Sequence, residues 1–391
     1  MKKIFLLLVS LMAAGAGMAQ IPYGSIVEAA KQNSPYFKAI EAQREAAGAS
    51  AYATPMLDNP EVEFGYYNGS PSDVGRRWDL SASQTFEMPN VYANRAKLRK
   101  SKAALAGVEA DFAEIDLVKE IQMLCSELVY QRALLSVMDR CLNNAEEIAQ
   151  NYGKRMENGD CSILEYNRAQ MEAVAVRGRR ESVDIDRAKV ARRLMQMTMM
   201  TPQELASALD GYAGGAAASL AMDPSLKAAY TQEESLRIMV AEGEVGEARA
   251  ELMPKISVGY ASENVVGETF RGVAVGLELP LWRGNRGVKA AKAAAMAEKV
   301  YAENRLKMVQ DERSRLNEIV VSKMNMLQAL KQSMAQCGDS MDLLRKSLEG
   351  GQMTLEEYLL QVDFYTEAEI SVLDAQKDLD QAYIEFCAIS R

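Results

Sequence analysis

Histidine is missing from this sequence, and its absence removes whole classes of chemistry. With no imidazole in 391 residues, the chain has no histidine triad, no histidine acid–base group and no histidine metal ligand. The five cysteines are scattered without a CxxC spacing, so they indicate no thiolate metal site. We therefore expect a protein that is not an enzyme and that has no cofactor and no catalytic metal.

Aromatic residues are also scarce, at 7% of the chain, whereas alanine, leucine and methionine are abundant. Globular cores use phenylalanine and tryptophan heavily, while coiled coils use the smaller and unbranched residues, so this composition favours long packed helices. The formal charge of −9 provides no basic surface for nucleic acid, and we expect no nucleic-acid partner.

The sequence has no apolar run long enough to cross a membrane as a helix. The apolar stretch Ile4–Ala13 is too short, and it stands between Lys2–Lys3 and a small-residue cleavage site at Gly17–Ala19. This order predicts a secretory signal peptide over residues 1–19. No cysteine follows the cleavage site, so we expect no lipobox. If the mature chain crosses a bilayer, it must do so with β-strands.

The chain is organised around a helical hairpin that occurs twice. In each copy, apolar residues recur at alternating steps of three and four, which is the seam of a coiled coil, and they stop at a glycine-containing break. Two antiparallel hairpins, each with its tip at a glycine turn, are therefore predicted. Equivalent tip positions are 192 residues apart: Gly159 and Gly351, Ser162 and Thr354, Glu165 and Glu357, Tyr166 and Tyr358.

Each copy also carries two strand candidates before its long helix. Residues 60–67 and 78–88 alternate polar and apolar side chains, and residues 254–260 and 272–279 do so again. Such alternation is typical of a strand with one face on lipid and one on water, although a half-buried soluble sheet gives the same pattern. The predicted lipid-facing set is Trp78, Leu80, Phe86, Val273, Val275 and Leu277.

These elements divide the mature chain into two repeats. The first, residues 20–205, has a helix, two strands, a long helix, a tip at 157–161 and a return helix. Residues 206–223 are rich in alanine and glycine and are predicted to form an equatorial collar. The second repeat, residues 224–391, has the same order with its tip at 349–353. Each long helix has roughly 65 residues, or about 100 Å at 1.5 Å per residue.

Four strands are too few to close a barrel, which needs about eight. An open sheet in lipid would leave two unpaired edges, where each polar group costs several kcal/mol. If the strands lie in a membrane, several chains must therefore pool them. Two, three or four copies would provide eight, twelve or sixteen strands.

Three local motifs accompany this order of elements. They are LMPKIS at the start of the third strand (252–257), VGLELPLWRG through and after the fourth (275–284), and the first tip region (152–170). In these motifs and in its duplicated order of elements, essentially the whole mature chain resembles the TolC-like outer membrane efflux protein family. The resemblance implies a mainly helical fold with membrane strands: duplicated hairpins forming an α-barrel, and four strands per chain in a homotrimeric 12-stranded β-barrel.

The resemblance also implies a function and partners. The chain would be the outer-membrane exit duct of a tripartite efflux or secretion system in a Gram-negative bacterium, extending into the periplasm. It would be a passive channel, gated at its periplasmic helical tip and opened by a periplasmic adaptor and an inner-membrane pump, with outer membrane lipid around its strands. The tip residues implied to contact the adaptor are Gly159, Asp160, Ser162, Gly350, Gly351 and Thr354.

The gate of that family often carries two acids, six and nine residues after the second tip glycine. Here the first position is Glu357, but the second is Leu360. The gate candidates are therefore Glu357, its counterpart Glu165 in the first copy, and Asp363. For Glu357 an alternative stays open, because an acid in the first turn of a helix is also favoured simply by the helix dipole.

Two further alternatives concern the function as a whole. A secreted structural or adhesive coiled coil with a small soluble sheet would share the helical pattern, but it would cover the strand faces with protein. The cluster Met195, Met197, Met199 and Met200 has the chemistry to bind a soft metal cargo, although methionine more often fills core gaps.

Overall fold

The computed structural model describes residues 23–53, 56–71, 74–209, 211, 224–337 and 340–390. The predicted signal peptide and most of the predicted collar lie outside these residues. The elements, in chain order, are α1 Gly24–Asn33, α2 Pro35–Ala51, β1 Glu61–Asn68, β2 Arg76–Phe86, α3 Pro89–Glu157, α4 Ile163–Thr198, α5 Pro202–Ala208, α6 Pro224–Ala250, β3 Lys255–Val265, β4 Glu268–Glu278, α7 Arg286–Cys337, α8 Ser340–Glu349 and α9 Leu355–Ser390.

The chain forms two compact units. One contains the described parts of Met1–Lys38, Glu114–Asp223 and Asp311–Arg391, and we call it the tip unit. The other contains those of Ala39–Ala113 and Pro224–Gln310, and we call it the sheet unit. Each unit takes segments from both predicted repeats, so a repeat of the sequence is not a compact unit of the structure.

The helices agree with the predicted pattern, with differences at their ends. The first long helix, α3, is continuous over 69 residues. The second is described as α7 and α8, and residues 338–339 between them lie outside the described residues. The helix α5, which starts with a capping box at Thr201 and Glu204, continues to Ala208 and so includes the first residues of the predicted collar 206–223. Among the described helices, none is both long and apolar enough to cross a membrane.

Among its described residues the tip unit has three hydrophobic cores, the smallest of which joins α7 and α9 through Leu316, Val320, Ala382 and Phe386. In the first, α3 contributes Ile121, Cys125 and Leu128, which are fully buried at steps of four and three, as the 3.5-residue periodicity predicts. They pack with residues of α1, α4 and α5. The second core joins α3, α4, α8 and α9: Ala145, Ala149, Tyr152, Ala169, Ala173, Leu348, Leu355, Tyr358, Leu359 and Val362 are among its members.

The sheet unit contains one antiparallel sheet with the strand order β1-β2-β3-β4. The last two strands are longer than the predicted 254–260 and 272–279. They extend to a two-residue turn at Val266 and Gly267, whose φ angles of 50° and 90° are both positive, as hairpin turns of this length require. The prediction was short because Ser262, Glu263 and Asn264 are polar, whereas ladder pairing depends on the backbone.

The first two strands also differ from prediction at their ends. β1 is shifted by one residue, from 60–67 to Glu61–Asn68. β2 covers Arg76–Phe86 rather than 78–88, because Pro89 begins α3 and the two residues before it leave the ladder.

Gly259 allows β2 and β3 to approach closely. A methyl group at this position would come within 2.7 Å of the Ala82 carbonyl oxygen, which is backbone and has little freedom to move. We predict that Gly259→Ala lowers the free energy of unfolding by about 1–3 kcal/mol, the usual cost of overpacking. Thermal unfolding followed by circular dichroism measures this loss.

Gly272→Ala is the matched control, because Gly272 lies in β4 of the same sheet and has no heavy atom within 4 Å of an added methyl. If the two variants unfold at the same temperature, the strands do not approach each other closely at Gly259 as described.

Candidate functional site

Both hairpin tips end their first helix with the same backbone turn. At the first tip, Asp160 N–H donates to Arg155 O at 2.7 Å and Gly159 N–H to Met156 O at 3.0 Å. At the second, Gln352 and Gly351 donate in the same pattern to Ser347 and Leu348. This is the Schellman arrangement, and it requires a left-handed residue, which Gly159 (φ 79°) and Gly351 (φ 67°) provide.

Both tips begin their second helix with a capping box. Ser162 Oγ accepts from Glu165 N–H at 3.2 Å, and Glu165 Oε2 accepts from Ser162 N–H at 2.8 Å. Thr354 and Glu357 repeat this exchange at 3.3 Å and 2.9 Å. Two backbone N–H groups at each helix start, those of the cap residue and of the capping acid, are therefore satisfied within the tip itself.

The gate candidates Glu165 and Glu357 are thus the capping acids of the two tips. Their hydrogen bonds from the backbone of Ser162 and Thr354 lower the pKa of each carboxyl below its ordinary value of 4.5. Glu357 therefore lies in the first turn of its helix, where the helix dipole alone would favour an acid. A role for Glu357 at a gate stays a prediction. The third candidate, Asp363 on α9, is half exposed, with Oδ1 3.9 Å from Arg179 Nη1.

The tips rest on the second core, where a buried tyrosine joins the two hairpins. Tyr358 is 0% exposed, and its hydroxyl donates to Asn144 Oδ1 on α3 at 2.8 Å. Burial raises the pKa of this phenol. Several ion pairs cross between the same hairpins, among them Arg345 with Glu147 at 2.9 Å and Arg140 with Glu369.

These cross-hairpin partners were not found from the sequence. Asn144 and the residues of these two ion pairs border a cleft of about 290 Å³ between α3, α8 and α9. Tyr358 carried one local signal, because it falls in the apolar phase of α9 that also buries Leu355 and Val362. Nothing in the sequence, however, pairs it with a residue 214 positions earlier.

The sheet unit places the predicted apolar strand residues on one face. The register pairs Phe64 with Leu80, Ala82 with Tyr260, and Tyr260 with Val273. Five of the six predicted lipid-facing residues are exposed, and Trp78 is partly buried. The apolar members of this face are Val62, Phe64, Tyr66, Trp78, Leu80, Ala82, Phe86, Ile256, Val258, Tyr260, Val273, Val275 and Leu277. The same face also carries polar residues, among them Gln84, Ser262, Asn264, Thr269 and Arg271.

The apolar face runs obliquely across the sheet. On β1 its members are Val62 to Tyr66, and on β4 they are Val273 to Leu277. The cross-strand pairs Val62–Ala82, Ala82–Tyr260 and Tyr260–Val273 form one row across the sheet, so Val62 and Val273 lie side by side. The β1 and β4 sets have only this row in common. The centre of the face therefore moves by four residues from β1 to β4. At about 3.4 Å per residue and about 4.8 Å between strands, the centre moves roughly 14 Å along the strands over a distance of roughly 14 Å across the sheet.

The opposite face of the sheet is mostly polar or small, although Tyr67, Val265 and Phe270 lie on it near the Val266–Gly267 turn. The ladder places on it Glu61, Glu63, Asp79, Ser81, Ser83, Gly259, Ala261, Glu263, Gly272, Ala274 and Gly276. Arg77 pairs there with Glu263 at 2.7 Å. The sheet thus separates an apolar side from a polar side, as the alternation predicted.

The methionine cluster at the end of α4 is core rather than a site. Met197 is 1% exposed, and Met195 and Met200 pack against the same core. Only Met199 is exposed, because it is the left-handed C-cap residue of α4. Within the described residues, no group of three or more cysteine and acidic side chains is arranged to hold a metal ion.

Comparisons with known proteins place this arrangement in context. A family model described as outer membrane efflux protein matches residues 26–198. Comparison with curated protein sequences gives no match. Among solved structures, a membrane protein from Pseudomonas aeruginosa matches with a TM-score of 0.76 at 16% identity, over 94% of this chain and 93% of that one.

Two further solved structures show the same fold. The outer membrane protein VceC from Vibrio cholerae matches with a TM-score of 0.75 at 15% identity, over 94% of this chain and 96% of its own. The CmeC outer membrane channel of Campylobacter jejuni matches with a TM-score of 0.73 at 14% identity, over 94% and 85%.

These findings confirm two predictions. The resemblance to TolC-like outer membrane efflux proteins is confirmed, and so is a mainly helical fold with a four-stranded antiparallel sheet. The matched family is a family of transport channels rather than of enzymes. Together, the family match and the fold support an outer-membrane exit duct.

The cap geometry makes the second tip sensitive to acid. Because folding lowers the pKa of Glu357, its carboxylate stabilises the tip above the ordinary pKa, and this contribution is lost as the pH falls through the lowered value. We predict that hydrogen-exchange protection of the first turn of α9 decreases at acid pH. In Glu357→Gln, whose amide also completes a capping box, the decrease should be smaller.

Glu356→Gln is the control, since this exposed neighbour is in the same first turn but takes no part in the cap. The assignment is wrong if Glu357→Gln and Glu356→Gln change the acid dependence equally.

Proposed function

We propose that this chain is the outer-membrane exit duct of a tripartite efflux or secretion system. The observation that carries the proposal is the oblique apolar face of the sheet. If the apolar band lies in the plane of a bilayer, its shift of roughly 14 Å along the strands for 14 Å across the sheet means that the strands are tilted by about 45° from the bilayer normal. This tilt is close to that of strands in membrane barrels. In a soluble sheet such a band would be covered by other parts of the protein, whereas here Val273, Val275 and Leu277 are 76%, 73% and 61% exposed.

The open edges of the sheet support a homotrimer. In the described structure, β1 and β4 are the outer strands, and neither has a second neighbour. In lipid their N–H and C=O groups must be paired, so the edges of neighbouring copies have to meet. Three copies close a barrel of twelve strands, which is the count that the family resemblance implies.

The lipid contact is assigned to the exposed apolar positions. Trp78, Leu80, Phe86, Val273, Val275 and Leu277 would face the outer membrane, and the polar face of the sheet would line the channel. Small side chains on that face, such as Gly272 and Ala274, leave room for cargo. The chain would accordingly extend from the outer membrane of a Gram-negative cell into its periplasm.

The hairpin tips are assigned to the adaptor contact. Gly159, Asp160, Ser162, Gly350, Gly351 and Thr354 are all exposed. Because the Schellman turns and capping boxes satisfy the tip backbone locally, the outer surface of each tip is free for a periplasmic adaptor and, through it, an inner-membrane pump.

The gate is assigned to the same region. Opening would move the two hairpins apart, and it would separate Tyr358 from Asn144 and Arg345 from Glu147. The channel is passive, so the free energy for this step comes from the adaptor and the pump. Glu165, Glu357 and Asp363 would give the opening a negative charge that concentrates cations.

The assembly is tested by cell fractionation and an unheated gel. We predict that the chain is found in the outer-membrane fraction and migrates as a trimer that heating converts to monomer, because twelve paired strands resist detergent. A soluble monomer that needs no detergent for extraction contradicts the proposal and favours the secreted coiled coil with a soluble sheet.

The tip assignment is tested at Gly351. A β-branched residue is strained at φ 67°, so Gly351→Val should distort the turn and reduce export at least tenfold, or abolish assembly with the pump. Insertion should be intact, because Gly351 lies in the tip unit and not in the sheet unit.

Gly351→Asn is the matched control, since asparagine tolerates the left-handed conformation and should retain most export. Export by Gly351→Val at the unmodified level, with the protein inserted, would show that the tip is not the docking and gating region.

A further inference from the structure

The charged residues of the four strands are divided unequally between the two faces of the sheet. The apolar face carries only Arg76 and Arg271, which share it with Asn68 and Ser262, their partners in the ladder. Although the net charge of the chain is −9, every acid of these strands lies on the polar face. The charged residues of the polar face are Glu61, Glu63, Arg77, Asp79, Lys255, Glu263, Glu268 and Glu278.

The two arginines of the apolar face have no acidic partner. Arg76 is the first residue of β2, Arg271 lies in β4, and both are exposed. Neither forms an ion pair with any part of the chain that the structure describes. By contrast Arg77, which points to the polar face, has its Nε 2.7 Å from Glu263 Oε1. The guanidinium groups of Arg76 and Arg271 are therefore available to an anion outside the chain.

The proposed trimer supplies no acid to them either. In a closed barrel β4 of one copy lies beside β1 of the next, so Arg271 would be near the apolar face of a neighbouring β1. The residues of β1 on that face are Val62, Phe64, Tyr66 and Asn68. Assembly of the barrel thus leaves the positive charge of Arg271 without a protein partner.

Both arginines lie toward the edge of the sheet that contains the Val266–Gly267 turn, which we call the turn edge. The apolar members are centred on Ala82 in β2 and on Val275 in β4. With about 3.4 Å per residue and a tilt of about 45°, Arg76 is about 14 Å and Arg271 about 10 Å from the middle of the bilayer. The apolar band of a membrane barrel is about 25 Å tall, so both positions are close to the boundary of the hydrocarbon.

The turn edge determines which headgroups these arginines would meet. In the proposed arrangement the helices extend into the periplasm, so the turn edge lies in the outer leaflet. In a Gram-negative cell this leaflet consists of lipopolysaccharide, whose glucosamine headgroup carries phosphates. A guanidinium group binds phosphate with two parallel hydrogen bonds, and the long stem of arginine lets its charge reach the headgroups while its methylene groups stay in the hydrocarbon.

We propose that Arg76 and Arg271 bind phosphate groups of lipopolysaccharide in the outer leaflet. The inference rests on the proposed function and adds a lipid ligand to it. Through the ladder, the two positions are separated by about 14 Å along the strands and about 10 Å across them. This distance is too long for one phosphate, so each arginine would hold a phosphate of its own.

The proposal is tested by counting bound lipid on the purified full-length trimer with native mass spectrometry. The probes are lipid A with both phosphates and the same lipid A after both phosphates are removed. The variant combines Arg76→Gln and Arg271→Gln, which keeps two long polar side chains at exposed positions. Arg77→Gln is the matched control, because it removes the neighbouring charge on the polar face.

We expect the unmodified trimer to bind phosphorylated lipid A about tenfold more tightly than the dephosphorylated form, because two charge-assisted contacts are lost with the phosphates. The double variant should lose most of this preference, and Arg77→Gln should retain it. A preference that the double variant keeps in full, or equal binding of both lipids by the unmodified trimer, overturns the inference.

Two further outcomes separate this inference from its alternatives. If phosphatidylglycerol displaces phosphorylated lipid A at an equal concentration, the arginines bind phospholipid in general and the assignment to lipopolysaccharide is wrong. If a heat-modifiable trimer forms without a preference for phosphate, only the lipid site fails. If no trimer forms, the proposed function fails together with it.

Discussion

The backbone groups along β1 and β4 set the central constraint on this molecule. A sheet with one exposed apolar face is suited to hydrocarbon, but hydrocarbon provides no partner for an unpaired N–H or C=O. One copy therefore does not satisfy its own sheet in a membrane, and the edges have to be supplied by other copies. This pairing underlies the proposed trimer and the channel that it encloses. It also underlies the need for tips that dock in register.

The hairpin tips also have backbone groups that need partners, but they satisfy these groups within a single chain. Helix ends leave four donors or acceptors without partners, and here a Schellman turn and a capping box each satisfy two of them locally. A tip built like this needs no partner to be stable, so a partner is free to bind and leave. The cap also lowers the pKa of the Glu165 and Glu357 carboxyls through hydrogen bonds from Ser162 and Thr354, so capping and a negatively charged opening are compatible roles for the same carboxylates.

Local patterns predicted the features that local physics determines. Alternation found the strands and their apolar face, and the 3.5-residue periodicity with Gly159 and Gly351 found the tips. The same patterns missed the ends of β3 and β4, because ladder pairing continues through polar residues. They also missed the bond between Tyr358 and Asn144, since contacts across 214 residues depend on how the hairpins pack.

The duplicated tips are alike in their turns and unlike in their surroundings. Tyr358 is fully buried against Asn144, whereas its counterpart Tyr166 is only partly buried. Leu360 is exposed and apolar where the first copy has Arg168. Backbone chemistry keeps the two turns the same, while the side chains two and three positions beyond each capping acid have diverged, from Asn167 and Arg168 to Leu359 and Leu360. A division of roles between the tips would therefore have to reside in these flanking side chains rather than in the turns.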